Sequence, residues 1–140
     1  MRIKRKSKKL VGAERLLELG IYLRDVVAKK YRKNFYMGHW VGMDFSTKCG
    51  TTACAFGWAT KIFPELKIAP TLHGTPTIAY ERKDGTRLFG FDAAEEFFRI
   101  TPQEGGNLFL DHPGHERVDV VARNIIRFAR AKLKKSSGTP

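Results

Sequence analysis

A helical repeat near the end of the chain limits the possible folds more than any other pattern does. Between about Glu116 and Lys135, apolar residues recur at intervals of three and four, which predicts an amphipathic helix. Such a helix owes most of its stability to the element that covers its apolar face. The repeat therefore implies a helical body around a shared core. The apolar face comprises Val118, Val121, Ala122, Ile125, Phe128, Ala129 and Leu133.

The opposite face of this helix is uniformly basic. It carries Arg123, Arg127, Arg130 and Lys134, and after Asp119 the helix has no carboxylate to offset them. A charged, solvated outer face is the simpler interpretation, since any surface helix needs one. However, faces that only solubilise a helix commonly mix both signs of charge. The one-sided pattern makes these four residues the main candidates for contacts with a polyanion.

The chain as a whole is also strongly basic. It has 26 Lys and Arg against 14 Asp and Glu, which gives a net charge of +12. Such an excess is typical of proteins with a polyanionic partner, most often nucleic acid, although an acidic protein surface is an alternative. With 140 residues, we expect one globular domain over residues 12–135, a flexible basic arm at 1–11 and a flexible tail at 136–140.

No apolar run approaches the ~18 residues of a membrane span, and the basic N-terminus lacks the apolar region of a secretory signal. We therefore expect a cytoplasmic protein with no membrane partner and with reduced cysteines. A second amphipathic helix is predicted from Ala13 to about Lys33, with a basic last turn. The predicted nucleic-acid-binding set is Arg123, Arg127, Arg130, Lys134, Lys4, Arg5, Lys29, Lys30 and Lys33.

The most unusual stretch is Cys49–Ala59, which combines two cysteines, two threonines, two glycines and three alanines. We predict that Thr51 or Thr52 caps a helix that runs to about Phe63, just before a proline. Small residues in this helix allow another backbone to approach closely. Cys54 is interpreted as a small buried hydrophobe.

The remaining segments predict short elements. Phe35, Met37 and Trp40 are expected to enter the core from an irregular segment, residues 64–70 to form a connector, and residues 75–91 to form a hairpin with an Asp-Gly turn. Asp92 and Thr101 are each followed three residues later by Glu, which predicts two short helices with capping boxes. The predicted fold is a mainly helical α+β single compact domain with two long amphipathic helices, a central motif helix, two short helices and a peripheral β-hairpin.

The motif Cys49-Gly50-Thr51-x-Ala53-Cys54-x-x-Gly57-Trp58-Ala59 resembles a family of small uncharacterised proteins from bacteria and their phages. The similarity extends over about residues 35 to 129, and includes Phe98-x-Ile100-Thr101-Pro102 and Val121-Ala122-x-x-Ile125. This resemblance implies no activity, substrate or cofactor. The basic arm and the basic face of the last helix are not part of the family pattern.

Two site hypotheses involve the cysteines. Cys49 lies just before a predicted helix N-terminus, where its pKa would be lowered, and His39 or His112 would supply a base for a cysteine-dependent enzyme. Alternatively, Cys49, Cys54, His112 and His115 would form a zinc site, although their spacing departs from that of structural zinc sites. Neither hypothesis is favoured, and we expect no cofactor.

The sequence favours a small basic accessory protein of bacterial or phage origin, acting in the host cytoplasm. We expect it to bind nucleic acid or a nucleoprotein assembly through its Lys/Arg face, without strong sequence specificity, because no base-reading motif is present. The alternatives are the enzyme that uses Cys49 and an inhibitor or adaptor that docks on an acidic host protein.

Overall fold

Helices make up most of the computed structural model, which describes residues 8–35, 54–70, 76–109 and 117–137. A π-helical turn, Leu23–Val27, joins the first two helices, and a 3-10 turn, Arg32–Asn34, follows the second. The mainly helical α+β fold is thus confirmed. The helices are α1 (Lys8–Tyr22), α2 (Ala28–Lys30), α3 (Ala55–Ala59), α4 (Gly90–Phe98), α5 (Pro102–Phe109) and α6 (Val118–Ser137), and the strands are β1 (Leu66–Ala69), β2 (Thr77–Glu81) and β3 (Arg87–Phe89).

The two long helices, α1 and α6, pack antiparallel against each other. Gly20 of α1 lies against Ile126 of α6, and further along the chain Arg32 lies near Asp119, so the residue numbers run in opposite directions. The apolar faces predicted for both helices form this contact and the adjoining core. The core residues that α1, the π-helical turn and α6 contribute are Leu16, Leu19, Leu23, Val27, Val118, Val121, Ala122, Ile125 and Ala129.

Helix α1 begins at Lys8, five residues before the predicted start at Ala13. Residues 8–11, which we expected in the basic arm, therefore belong to the helix. Lys and Leu are good helix formers, so their basic character does not oppose this extension. The other long helix begins at Val118, close to the predicted start.

Helix α3 of the Cys49–Ala59 motif lies in the core, where every one of its five residues is buried. The Phe56 ring is fully buried and lies 5.8 Å from the ring centroids of both Phe98 and Phe109. The interpretation of the motif as a packing element agrees with this position. Phe35 is also buried, as predicted, whereas Met37 and Trp40 lie outside the described residues.

The predicted ends of the motif helix are wrong. The helix begins at Ala55 and its N-cap is Cys54, whose Sγ accepts a hydrogen bond from the Gly57 N–H at 3.4 Å. It ends at Ala59 because the chain then turns, with the Thr60 hydroxyl donating to the Gly57 carbonyl at 2.7 Å. The predicted caps, Thr51 and Thr52, lie outside the described residues.

The three strands form one antiparallel sheet in the order β1-β2-β3. The predicted hairpin is confirmed as β2 and β3, and Gly85 adopts a φ of 92° in its turn. The prediction of a connector at residues 64–70 is wrong, since Leu66 pairs with Tyr80 and Ala69 with Thr77. Leu66 and Ala69 are both buried, so this segment gains core contacts that its short sequence does not reveal.

The two short helices have different N-termini. The capping box of α5 is confirmed: the Thr101 N–H donates to Glu104 Oε1 at 2.8 Å, and the Glu104 N–H donates to Thr101 Oγ1 at 3.1 Å. The cap predicted at Asp92 is wrong, because α4 already begins at Gly90, immediately after β3. Gly90 has a φ of 58°, which lets the strand turn into the helix without a loop.

Helix α1 also holds the C-terminal end of α4. A Cβ atom placed on Gly12 would lie 2.2 Å from the Phe98 carbonyl oxygen. Arg15 Nη1 donates to the Phe97 carbonyl oxygen at 2.8 Å, and the Arg15 guanidinium lies 4.1 Å from the centroid of the Phe97 ring. The terminal carbonyls of α4 thus receive a donor and a close backbone neighbour from α1.

Replacing Gly12 with Ala should destabilise the fold, because the added methyl group meets a backbone carbonyl that cannot move aside cheaply. We expect a loss of about 1–3 kcal/mol, the usual cost of overpacking. Gly106 in α5 is the matched control: nothing lies within 4 Å of its added Cβ, so Gly106→Ala should stabilise by up to about 1 kcal/mol. Urea unfolding measures both, and equal midpoints for the two variants would contradict the close contact.

Candidate functional site

A groove with a volume of about 470 Å³ lies beside the contact between α1 and α6. Arg24, in the π-helical turn, contributes from the side of the first helix, and Ile126, which is mostly buried, supplies a small apolar area. The other lining residues that the structure describes come from α6. We call this feature the basic groove, and it is lined by Arg24, Asp119, Arg123, Ile126, Arg127 and Arg130.

Three arginines, Arg123, Arg127 and Arg130, form the α6 side of the basic groove, and all three are exposed. Their spacing of four and three residues places them in one row, which covers about 10 Å along the helix axis. Among the residues that the structure describes, none of the three has a carboxylate or other hydrogen-bond partner. Their donors are therefore directed to solvent.

Three arginines on the α1 side of this row and near the start of α6 are held in ion pairs. Arg24 donates to both carboxylate oxygens of Asp25, at 2.8 and 3.1 Å. Arg117 donates to both oxygens of Asp119, at 3.2 and 3.0 Å, and Arg32 lies 3.8 Å from the same carboxylate. Asp25 thus offsets the charge of Arg24, and Asp119 offsets one of the two charges of Arg117 and Arg32, while no described carboxylate offsets the row itself.

The two acids of these pairs are ionised at neutral pH. The hydrogen bond from Arg24 lowers the pKa of Asp25. Burial alone would raise the pKa of Asp119, but the hydrogen bonds and charge of Arg117 bring it below its usual value. Both carboxylates therefore carry a full negative charge beside the arginine row.

The structure brings together only part of the predicted nucleic-acid-binding set. Lys134 is exposed, about one turn beyond Arg130 on the same helix. Lys29, Lys30 and Lys33 are exposed near the start of α6, but they do not line the basic groove. Lys4 and Arg5 lie outside the described residues.

Sequence reasoning missed Arg24 and Ile126 as groove residues. Arg24 follows Gly20 by four positions, so it lies one turn along the helix face that meets α6. A glycine on this face could have indicated that another helix packs closely there. The sequence pattern alone, however, does not show which helix that is.

Of the residues in the two cysteine hypotheses, only Cys54 lies within the described region. Cys54 is 1% exposed, and burial raises the pKa of its thiol to about 12, although the Gly57 N–H partly offsets this effect. A neutral, enclosed thiol is neither a nucleophile nor a ready metal ligand. The interpretation of Cys54 as a small buried hydrophobe is thus confirmed.

The other residues of both cysteine hypotheses, Cys49, His39, His112 and His115, lie outside the described residues, so a reactive Cys49 stays a prediction. Within residues 8–35, 54–70, 76–109 and 117–137, no group of three or more His, Cys, Asp or Glu could hold a metal ion. The described residues therefore do not supply the set of ligands that the zinc hypothesis requires.

No protein-family model, curated protein or solved structure matches the chain. The family resemblance of the Cys49–Ala59 motif consequently stays a prediction. None of the described helices combines the length and apolar character that crossing a membrane requires.

Replacing Cys54 with Ser keeps an N-cap acceptor and removes the titrating thiol. Burial raises the thiol pKa from its ordinary 9.0 to about 12, so the folded state retains this proton where the unfolded state loses it. The thiol's contribution to stability is therefore complete below about pH 9 and is lost as the pH rises towards 12. Relative to Cys54→Ser, the parent should lose up to about 1.4 kcal/mol of unfolding free energy per pH unit in this window. Denaturant unfolding of both proteins at several alkaline pH values measures this difference, and a pH-independent difference would contradict the buried thiol.

Proposed function

We propose that this protein binds nucleic acid, or a nucleoprotein assembly, through the basic groove and without strong sequence specificity. One observation carries the proposal: Arg123, Arg127 and Arg130 lie in one exposed row and have no anionic partner among the described residues. Six other cations of the described region each have a carboxylate within ion-pair distance. These are Arg24, Arg32, Arg82, Arg99, Arg117 and Lys132.

The chemistry of arginine supports phosphate as the group that is bound. A guanidinium presents a planar fork of N–H donors that matches two oxygens of one phosphate, and its charge persists at any physiological pH. Three such groups within about 10 Å along a helix can engage neighbouring phosphates of one backbone. A row of this kind needs no change in the fold to receive its ligand.

The surroundings of the row favour contacts with the phosphate backbone over reading of bases. Phosphate contacts position a protein on nucleic acid but carry no sequence information. The described lining of the basic groove contains neither Asn nor Gln, the side chains that most often pair with adenine. We therefore assign the protein an accessory role in the bacterial or phage setting that the motif resemblance suggests.

Changing Arg123, Arg127 and Arg130 together to Glu should reduce the affinity for mixed DNA or RNA by about 100-fold or more, since three attractive contacts become repulsive. The fold should persist because all three side chains are exposed. Fluorescence anisotropy with a labelled oligonucleotide measures binding, and circular dichroism checks the fold.

The matched control changes Lys67, Lys83 and Arg87 to Glu. These residues are also exposed, but they lie on the sheet or in its hairpin turn. The strands contact mainly α3 and α4, whereas α6 contacts mainly α1 and the π-helical turn. The control lowers the net charge by the same amount and should change binding less than about threefold. If both variants lost affinity equally, the overall charge would explain binding and the basic groove would not.

The salt dependence of binding gives an independent count of the contacts. Three phosphate contacts predict that log K falls with log salt concentration with a slope of about −2 to −3. The Arg-to-Glu variant should show a slope near zero, because it lacks those contacts. An unchanged slope in that variant would place the phosphate contacts elsewhere on the protein.

A further inference from the structure

We infer that the nucleic acid in the basic groove is a single strand, with its phosphates on the α6 arginines and unpaired bases directed towards the α1 side. This inference rests on the proposed function and names the form of nucleic acid that the same site takes. The distribution of charge, the size of the groove and the use of arginine each support it.

The positive charge of the basic groove is confined to one line. Arg123, Arg127 and Arg130 carry it on α6, whereas Arg24 on the facing side is neutralised by Asp25. A duplex presents two phosphate backbones, one on each side of a groove, and a protein that binds it gains from cations facing both. A single line of cations opposite a neutral wall is complementary to one backbone.

The size of the basic groove also fits one strand. Its volume of about 470 Å³ is within the range of sites that hold one small-molecule unit, such as a single nucleotide. A duplex is too wide to enter such a space and would contact only its rim. Ile126 lines the basic groove but is only 7% exposed, so it offers a base no more than a small apolar contact.

The row consists of arginines, although the chain contains slightly more lysines than arginines. Guanidinium planes stack on exposed base faces, which a lysine ammonium does not do in the same way. Base stacking on side chains contributes about 1–3 kcal/mol per base in single-strand binding and is not available from a closed duplex. Arginine in the row thus adds a preference for unpaired bases to the attraction of charge.

The test compares an oligo-dT and an oligo-U of about 16 nucleotides with a duplex of the same length, at equal phosphate concentration and equal salt. Heparin serves as a polyanion without bases. We expect at least one of the single strands to bind about tenfold or more tightly than the duplex and than heparin, and the two strands together show whether the sugar matters.

A charge-preserving variant separates stacking from charge. Changing Arg123, Arg127 and Arg130 to Lys should remove most of the preference for the single strand while it changes duplex binding by less than about threefold. Arg82→Lys, an exposed residue of the sheet's turn, is the control and should leave both affinities as in the parent.

The outcomes distinguish this inference from the proposed function. Equal or tighter binding of the duplex, or equal binding of heparin, would overturn the single-strand inference and leave binding through the arginine row intact. Retention of the full preference in the triple Lys variant would also overturn it. If neither strand nor duplex bound at low salt, the proposed function itself would be wrong.

Discussion

The close contact between Gly20 and Ile126 fixes the arrangement of the two long helices. A Cβ atom on Gly20 would lie 2.6 Å from Ile126 Cγ1, so only glycine allows α1 to approach α6 this closely without a shift of the side chain or helix. This approach closes the core over the apolar faces of both helices. Arg24, which lines the basic groove, follows Gly20 by four residues, so this contact lies about one helical turn from the α1 side of the groove. The packing contact thus lies next to the candidate site.

A second close contact extends this arrangement to the rest of the domain. Gly12 of α1 meets the Phe98 carbonyl of α4, and α4 in turn contacts strands β2 and β3. The buried helix α3 fills the space between these elements through Phe56. The first helix therefore joins the sheet side of the core to α6, and small residues at two of its positions make this possible.

The arginine row lacks the pairing with carboxylates that is common in the rest of the described structure. Most other arginines there have a carboxylate partner, and an excess of like charge destabilises a compact state by self-repulsion. Helix α6 has one acid in its first turn, Asp119, and that acid binds Arg117 instead of a member of the row. An anionic ligand would relieve the repulsion among Arg123, Arg127 and Arg130, which links the charge pattern to the proposed function.

The helical periodicity of the sequence was sufficient to predict the two long helices and which of their faces are buried. The Arg123, Arg127 and Arg130 side chains are exposed and Val121 and Ile125 buried, as the helical repeat predicts. Local chemistry also predicted the capping box of α5, because both of its partners lie within four residues. These features depend on neighbours in sequence, which a single chain displays directly.

Features that depend on tertiary contacts were not predictable in this way. Strand β1 is only four residues long and is defined by its pairing with β2, so residues 64–70 looked like a connector. Asp92 has the chemistry of an N-cap, but the φ of Gly90 lets α4 start three residues earlier, with Phe89 as its N-cap. The basic groove itself requires knowledge of which helix packs on Gly20, and no local pattern contains that information.

Side-chain NMR of arginine would locate the bound anion on the protein. In a titration of the ¹⁵N-labelled protein with an oligonucleotide, the Nε–H resonances of Arg123, Arg127 and Arg130 should shift, while that of Arg82, which is paired with Glu96, should not. Single Arg-to-Lys variants assign each resonance. Shifts confined to the row would support binding in the basic groove. Shifts confined to the sheet or to resonances outside α6, with the row unchanged, would contradict the account.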